Sequence, residues 1–305
     1  MNGIIKVDKP QGPTSHDVVE RVRKISGMRV GHAGTLDPFA SGLLIVGIGE
    51  GTRILEYFLD FPKTYEAVAR LGIVTDTYDR TGKIMERSEC VADEQMVRDV
   101  FLSFIGEYYQ VPPMYSAKKI SGRKLYELAR EGKIITMPPS KVMIYEIKVE
   151  KVDLPYVEFK TVVSGGTYIR ALCRDIGIKL GCGAITEELR RTKVGPFDLE
   201  GSINPFDKDL INCEEIMSLE EVTKYLFKTV VINESGEKKM RNGMPLKIED
   251  LIAYEDFKKG EVLRVLSKEK LISLSIAQRS SNFFDTVKKH ERHDLLLKPK
   301  KVFLH

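Results

Sequence analysis

The sequence predicts an α+β protein with a smaller β-rich domain towards its C-terminal end. Three observations carry that reading. Residues 64–73, TYEAVARLGI, alternate with period two: Tyr65, Ala67, Ala69 and Leu71 on one face, Glu66, Val68 and Arg70 on the other, as in a half-buried strand. Helical periods interleave with such strands, and Ile169, Leu172, Cys173, Ile176 and Leu180 fall on one stripe that ends at Gly181. From about residue 230 the pattern shifts to short strands with turns, in VVINESGEKKMRNGMPL, FKKGEVLRVLS and KLISLSIAQ.

In chain order, IIKVDKPQGPTSHD reads as a short strand, a Pro/Gly turn and a helix start. Thr14 and Asp17 have the spacing of a capping box, and Val18, Val22 and Ile25 continue at helical spacing. HAGTLDP follows as a loop, and GLLIVGIGEGTRI as a buried strand with a tight turn. After the strand at 64–73, TDTYDRTGK is polar and turn-rich, and DEQMVRDVFLSFIG is an amphipathic helix ending at Gly106. YQVPPMYSAKKISGRKLYELAREG begins extended, punctuated by prolines, and ends as a helix closed by Gly132. VEFKTVV, residues 157–163, is another strand; the turn SGG leads into the helix TYIRALCRDIGIKLG, and a Gly-punctuated link into TEELRRTKVGPF.

The chain has 305 residues, a length that suits two domains, and its 42% hydrophobic and 30% charged content fits a globular protein with a sizeable core. Cys90, Cys173, Cys182 and Cys213 form no CxxC pair, zinc spacing or disulfide framework, which favours a reducing compartment. The N-terminus MNGIIKVDKP is charged too early for a signal peptide, and the most apolar run is far shorter than the ~20 residues of a membrane helix; a cytoplasmic location is expected, with no membrane partner. The formal net charge of +4 is modest, but it is unevenly distributed. Between residues 118 and 133, Lys118, Lys119, Arg123, Lys124, Arg130 and Lys133 face only Glu127 and Glu131. Between 288 and 301 six cations again face two acids. Each stretch alone reads as a solvated surface; two on one chain favour a nucleic-acid backbone as partner.

Asp37 stands alone among small residues in HAGTLDPFASG, with Glu50 the nearest other carboxylate, so no paired-acid hydrolase is indicated there. Asp-Pro is a common turn pair; against that reading, the small neighbours leave room for a large flat ligand. Arg170, on the polar side of its helix, reads by default as a solvated charge and alternatively as the partner of a distant acid, which it would hold ionised and oriented. Tyr65 and Tyr168 are core residues unless they border a pocket, where an aromatic ring can stack on a base. Leu189 reads as the core anchor of a short helix. His32 has no second ligand at metal spacing, so no metal site is expected.

In that order, GHAGTLDPFASGLL, KTYEAVARLG with TDTYDRTG, QVPPMYSAKKISGRKLYELAREG, GGTYIRALCRDIG and LRRTKVGPF closely resemble the TruB family of bacterial tRNA pseudouridine-55 synthases, over about residues 3–200. Gly165-Gly166 ahead of Thr167 is a slight variant of the family's small-residue lead-in. The C-terminal part resembles a PUA RNA-binding domain more weakly, through Gly243, Gly260 and GEVLRVLS. The resemblance implies a mixed, mainly antiparallel pseudouridine synthase fold with flanking helices over 1–229, an RNA-gripping insertion at about 110–140, and a PUA-like domain over 230–305.

It further implies an isomerase that converts uridine 55 in the T-loop of tRNA to pseudouridine, without cofactor or essential metal. By the same resemblance Asp37 is the catalytic aspartate, Tyr65 stacks on the target base, and Arg170 of the Tyr168/Arg170 pair salt-bridges the aspartate. Leu189 lines the uracil pocket, and His32 helps hold the flipped loop nucleotides out of the stack. Lys118, Lys119, Arg123 and Lys124 belong to the RNA-gripping segment; the PUA domain would meet the acceptor end, and a monomer is implied. A second role in tRNA folding is compatible with this. So are two alternatives: a guide-RNA-dependent catalytic subunit of the same fold, and a non-catalytic RNA-binding module. Two routes for Asp37 stay open: a covalent adduct with sugar or base, or removal of the C2′ proton. Tyr65 is a candidate for taking the C5 proton, although a phenol with a pKa of about 10 needs help at neutral pH.

Overall fold

Short β-rich runs, each with one apolar face, require a sheet to bury them, and the computed structural model supplies two large ones. It describes residues 2–113, 119–120, 123–124, 137–284 and 295–303. Two compact units result: Ile5–Ile48 with Thr52–Glu215, and Met1–Ile4 with Gly49–Gly51 and Ile216–His305.

Along the chain come β1 (Gly3–Lys9), which enters the larger unit at Ile5, then α1 (Ser15–Ser26), β2 (Val30–Ala33) and β3 (Ser41–Ile48). After a 3-10 run come β4 (Lys63–Leu71), β5 (Ile73–Thr75), β6 (Ile84–Arg87), α2 (Glu94–Leu102) and β7 (Gly106–Gln110). The two-residue strands β8 (Lys119–Ile120) and β9 (Arg123–Lys124) precede β10 (Ser140–Asp153), β11 (Tyr156–Val163), α3 (Ile169–Leu180), β12 (Ala184–Val194) and β13 (Phe197–Asp198). The main sheet runs β1-β3-β12-β4-β11-β10-β7, with β2 paired to β3 and β13 to β12. Pairs β12/β4, β4/β11, β11/β10 and β10/β7 are antiparallel and β12/β3 is parallel, which gives the mixed, mainly antiparallel sheet expected. The parallel step requires close passage: Gly42 has φ +102°, and a Cβ there would lie 2.2 Å from the Arg191 carbonyl oxygen.

Local signals are realised where short-range chemistry decides. Thr14 and Asp17 form the reciprocal capping box of α1, and Gly27 ends that helix in the left-handed conformation. Tyr65, Ala67, Ala69 and Leu71 of β4 are buried, and Glu66 between them is exposed. Among the described residues no helix is long and apolar enough to cross a membrane.

Three expectations fail. The helix expected to run to Gly106 stops at Leu102, and Gly106, with φ +111°, opens β7 instead. Leu189 lies on a strand: TEELRRTKV has β12 antiparallel to β4, and that tertiary pairing overrides the helix-favouring Glu-Glu-Leu-Arg run. In the smaller unit, Glu234–Arg241 is a helix, capped by Asn233, whose side chain accepts from the Gly236 amide.

The smaller unit consists of α4 (Leu219–Leu226), β14 (Thr229–Ile232), α5 (Glu234–Arg241), β15 (Leu251–Tyr254), β16 (Val262–Ser267), β17 (Lys270–Ala277) and β18 (Leu297–Val302). Its sheet order is β15-β14-β16-β17-β18, over a core that includes Val230, Met240, Leu263, Val265 and Phe284. It starts at Ile216, ahead of the composition change at 230, because α4 packs on it: Arg264 Nη1 donates to the Glu220 carbonyl at 2.9 Å, and Glu220 Oε1 accepts from the Leu271 amide at 3.0 Å.

Candidate active site

Asp37 occupies the loop between β2 and β3, and four neighbours fix that loop. The Ser15 hydroxyl, in the first turn of α1, both accepts from the Leu36 amide and donates to the Leu36 carbonyl at 2.9 Å. The Asp37 carbonyl accepts from the Ala40 amide at 3.1 Å, and that of Pro38 from the Gly12 amide at 2.8 Å. Gly34 takes φ +78°, and its carbonyl accepts from Arg191 Nη2 at 2.8 Å. Arg191 Nε donates to the Leu43 carbonyl at 2.7 Å, so this 1% exposed arginine ties both ends of the loop to β12. The backbone carrying the acid is therefore held at Leu36, Pro38 and both flanks.

Arg170 lies in the first turn of α3, where the default reading is a solvated charge; it is 3% exposed. Its Nη2 donates to Asp37 Oδ1 at 2.9 Å, and its Nε lies 2.8 Å from Asp37 Oδ2. This side-on pairing orients a carboxylate as well as neutralising it. Nη1 donates to the Thr77 carbonyl at 2.9 Å and lies 3.5 Å from Asp79 Oδ2.

Asp79 is 4% exposed and accepts at Oδ1 from the Thr77 hydroxyl at 2.9 Å, the Thr81 amide at 2.9 Å and the Thr81 hydroxyl at 2.6 Å. The turn that carries it docks on β12: the Thr186 amide donates to the Tyr78 carbonyl at 3.0 Å, and the Arg80 amide to the Thr186 carbonyl at 3.2 Å. Tyr78 sits at φ +62° with the Arg174 guanidinium 4.8 Å over its ring; a bulky residue in that region is strained and needs such support. Asp79 lies within the TDTYDRTG run, but nothing in the one-dimensional pattern distinguishes it from a turn aspartate.

The two members of the central pair differ in access. Arg170 is enclosed, while the Asp37 side chain keeps 32% of its surface exposed, so the acid is braced from below and open above. The surrounding protein pushes the Asp37 carboxyl above the ordinary aspartate value; Arg170 opposes this, Asp79 adds to it and Lys9 opposes it. Lys9 is fully buried, with Nζ donating to the carbonyls of Pro10 and Pro13 at 2.8 Å. Burial lowers its pKa to about 8 despite the attraction of Asp37.

Tyr65 and Leu189 share a sheet face. On β12, Arg191 stands opposite Tyr65 and Leu189 opposite Ala67, and residues two apart on a strand point the same way. Arg191 reaches Gly34 from that face, so it is the face towards the Asp37 loop. Tyr65 is 8% and Leu189 6% exposed, so both are buried on that face.

Tyr168 is the N-cap residue of α3, and Gln110 clamps its backbone by accepting from the amide at 2.8 Å and donating to the carbonyl at 3.0 Å. His32 lies on β2 opposite Val46, half-buried. Lys119, Arg123 and Lys124 lie on a short ladder in which Lys119 pairs with Lys124 and Ile120 with Arg123; Lys118 lies outside the described residues. The geometry thus joins Asp37 directly to Arg170, and places Tyr65 and Leu189 together on one face. The sequence alone does not distinguish Ser15, Arg191 or Asp79, whose contacts with Leu36, with Gly34 and Leu43, and with Arg170 join residues distant along the chain, nor Lys9, whose burial is set by the fold.

Family models for "TruB family pseudouridylate synthase (N terminal domain)" and "tRNA pseudouridylate synthase B C-terminal domain" match residues 22–169 and 170–230. The chain is 49% identical to the tRNA pseudouridine synthase B of Thermotoga maritima over 305 residues, covering 99% of this chain and 98% of that protein. It is 44% identical to that of Clostridium tetani over 291 residues, 94% and 99% of the two chains. Among solved structures it resembles a chain of an H/ACA ribonucleoprotein bound to a substrate RNA containing 2′-deoxyuridine, with a TM-score of 0.73, 27% identity, and coverage of 99% of this chain and 85% of that one.

Proposed function

The chain belongs to the TruB family of tRNA pseudouridine synthases, which are isomerases, and on that premise we propose that it isomerises uridine 55 in the T-loop of tRNA. The observation that carries the proposal is the braced, solvent-open carboxylate of Asp37 against the enclosed guanidinium of Arg170. An isomerisation of N1–C1′ into C5–C1′ needs no water and no second acid; it needs one carboxylate held at the reacting nucleotide and a base for the C5 proton.

The target base must leave the loop stack before Asp37 can reach its sugar. Flipping costs a few kcal/mol, and stacking on Tyr65 beside Leu189 returns about 1–3 kcal/mol. Asp37 then acts by covalent attack at sugar or base, or by taking the C2′ proton. Arg170 keeps it ionised and aimed. Tyr65 is assigned the C5 proton. His32 and Tyr168 border the flipped nucleotides, and Lys118, Lys119, Arg123 and Lys124 grip the RNA backbone. The smaller unit acts as a PUA-like module on the acceptor end, and the enzyme works as a cytoplasmic monomer with tRNA folding as a second role.

The test is tritium release from C5-labelled uridine in a bare T-arm hairpin. Wild type is expected to turn over without added protein or guide RNA, and Asp37→Ala to lose turnover while still binding. Near-normal release by the alanine variant would overturn the mechanism. Activity only with an added guide RNA would favour a guide-dependent enzyme of the same fold.

A further inference from the structure

Two thiols that the reaction does not use lie together in the larger unit. Cys90 follows β6 and Cys182 follows α3; 92 residues separate them in sequence, yet their sulfur atoms are 2.6 Å apart. Backbone pairing independently fixes both segments. The Gly72 amide donates to the Gly183 carbonyl and the Ser88 amide to the Gly72 carbonyl, each at 3.0 Å, so Gly72 lies between the two cysteine-bearing chains. Their access differs as well: Cys182 is 4% exposed, whereas Cys90 is half-buried and lines a shallow cleft with Arg70, Arg87, Glu89, Leu154 and Pro155.

We propose that Cys90 and Cys182 form a redox modification site, in which a small carboxylate-bearing disulfide converts the two thiols into one intramolecular disulfide. Cys90 is the reachable member, and its cleft sets Arg70 and Arg87 against the single acid Glu89, a lining that suits an anionic reagent. Its sulfur attacks one sulfur of the reagent, forms a mixed disulfide and expels a thiolate. Cys182, losing its proton to solvent, then attacks the Cys90 sulfur and expels the second thiolate. The reagent disulfide is reduced to two thiols, and the cysteine pair is oxidised by the same two electrons. Burial, followed by the contact with Cys90, raises the Cys182 thiol to about 11, so the closing step is faster at higher pH. Cys173 is fully buried in α3, with its thiol pushed up to about 12, and takes no part.

The cross-link braces the frame of Arg170. Cys182 follows the C-terminal end of the helix whose first turn carries Arg170, and Cys90 ends the segment whose turn supplies Thr77 and Asp79. Closing so long a loop narrows the unfolded ensemble and stabilises the fold.

The experiment uses the full chain as Cys213→Ser, which removes the exposed thiol, treated with oxidised glutathione. Peptide mass mapping is expected to find Cys90 joined to Cys182 and Cys173 unmodified. The unfolding midpoint is expected to rise by about 5–10 °C and to return on reduction with dithiothreitol. Cys90→Ser in the same background should show neither change. A glutathione adduct that persists on Cys90, or no loss of thiol, would overturn the site; a cross-link without a rise in midpoint would overturn the brace.

Discussion

Arg170 meets Asp37 side-on, with Nη2 2.9 Å from one carboxylate oxygen and Nε 2.8 Å from the other, while its third nitrogen faces Asp79 at 3.5 Å. One enclosed cation thus serves two acids of unequal access. Arg170→Lys keeps the charge and loses the fork, so single-turnover pseudouridine formation should fall by at least about a hundredfold while hairpin binding changes little. Equal losses in rate and binding would place Arg170 in RNA recognition instead.

Asp79 raises the Asp37 pKa because the two like charges face one guanidinium. Removing that charge in Asp79→Asn favours ionised Asp37, so the acid limb of the kcat/KM profile should move to lower pH even as the maximum rate drops. An acid limb that stays in place would mean that another group titrates there.

Ser15→Ala deprives both polar groups of Leu36 of their partner. With the site buried, a stability loss of about 1–3 kcal/mol is expected in urea unfolding. Because Asp37 follows Leu36 directly, kcat should fall more than KM rises. Restoration by Ser15→Thr would support the hydroxyl as the agent.

Lys9 binds its proton less tightly folded than unfolded, with a pKa lowered from 10.5 to about 8 by burial. Its desolvation cost is therefore fully present below pH 8 and is relieved as the pH rises towards the unfolded value. Relative to Lys9→Met, wild type should gain about 2 kcal/mol of stability between pH 7.5 and 9.5. Lys63, lowered to about 8 for the same reason, contributes a parallel gain in both proteins and cancels from the difference.

Tyr65→Phe keeps the ring and removes the hydroxyl. It should bind the hairpin as wild type does yet stall at C5 deprotonation, with RNA that is rearranged but not released as product. Tyr65→Ala should instead lose about 1–3 kcal/mol of binding. If both variants turned over normally, the C5 base would lie elsewhere.

Local chemistry was legible in the chain. The Thr14–Asp17 capping box, the alternation in β4 and the helical stripe ending at Gly181 each follow from interactions within a few residues, and each is present. The ordered motifs also marked Asp37 and Arg170 as partners 133 residues apart, and the structure joins them. Less legible was any segment whose state depends on a distant partner. Residues 184–194 become a strand because β4 and β3 flank them, and 234–241 fold as a helix where the apolar pattern suggested strands.

By itself, then, the sequence determined the α+β character, the family and the solitary acid with its distant arginine. Only the tertiary structure decided that Arg170 is enclosed rather than solvated, that Asp79 shares it, and that Ser15 and Arg191 hold the loop beneath Asp37. The reason is the range of the forces. Capping and periodicity act between neighbours along the chain, whereas burial, which sets both the cost of a charge and the value of its partner, exists only once the sheet has closed over it.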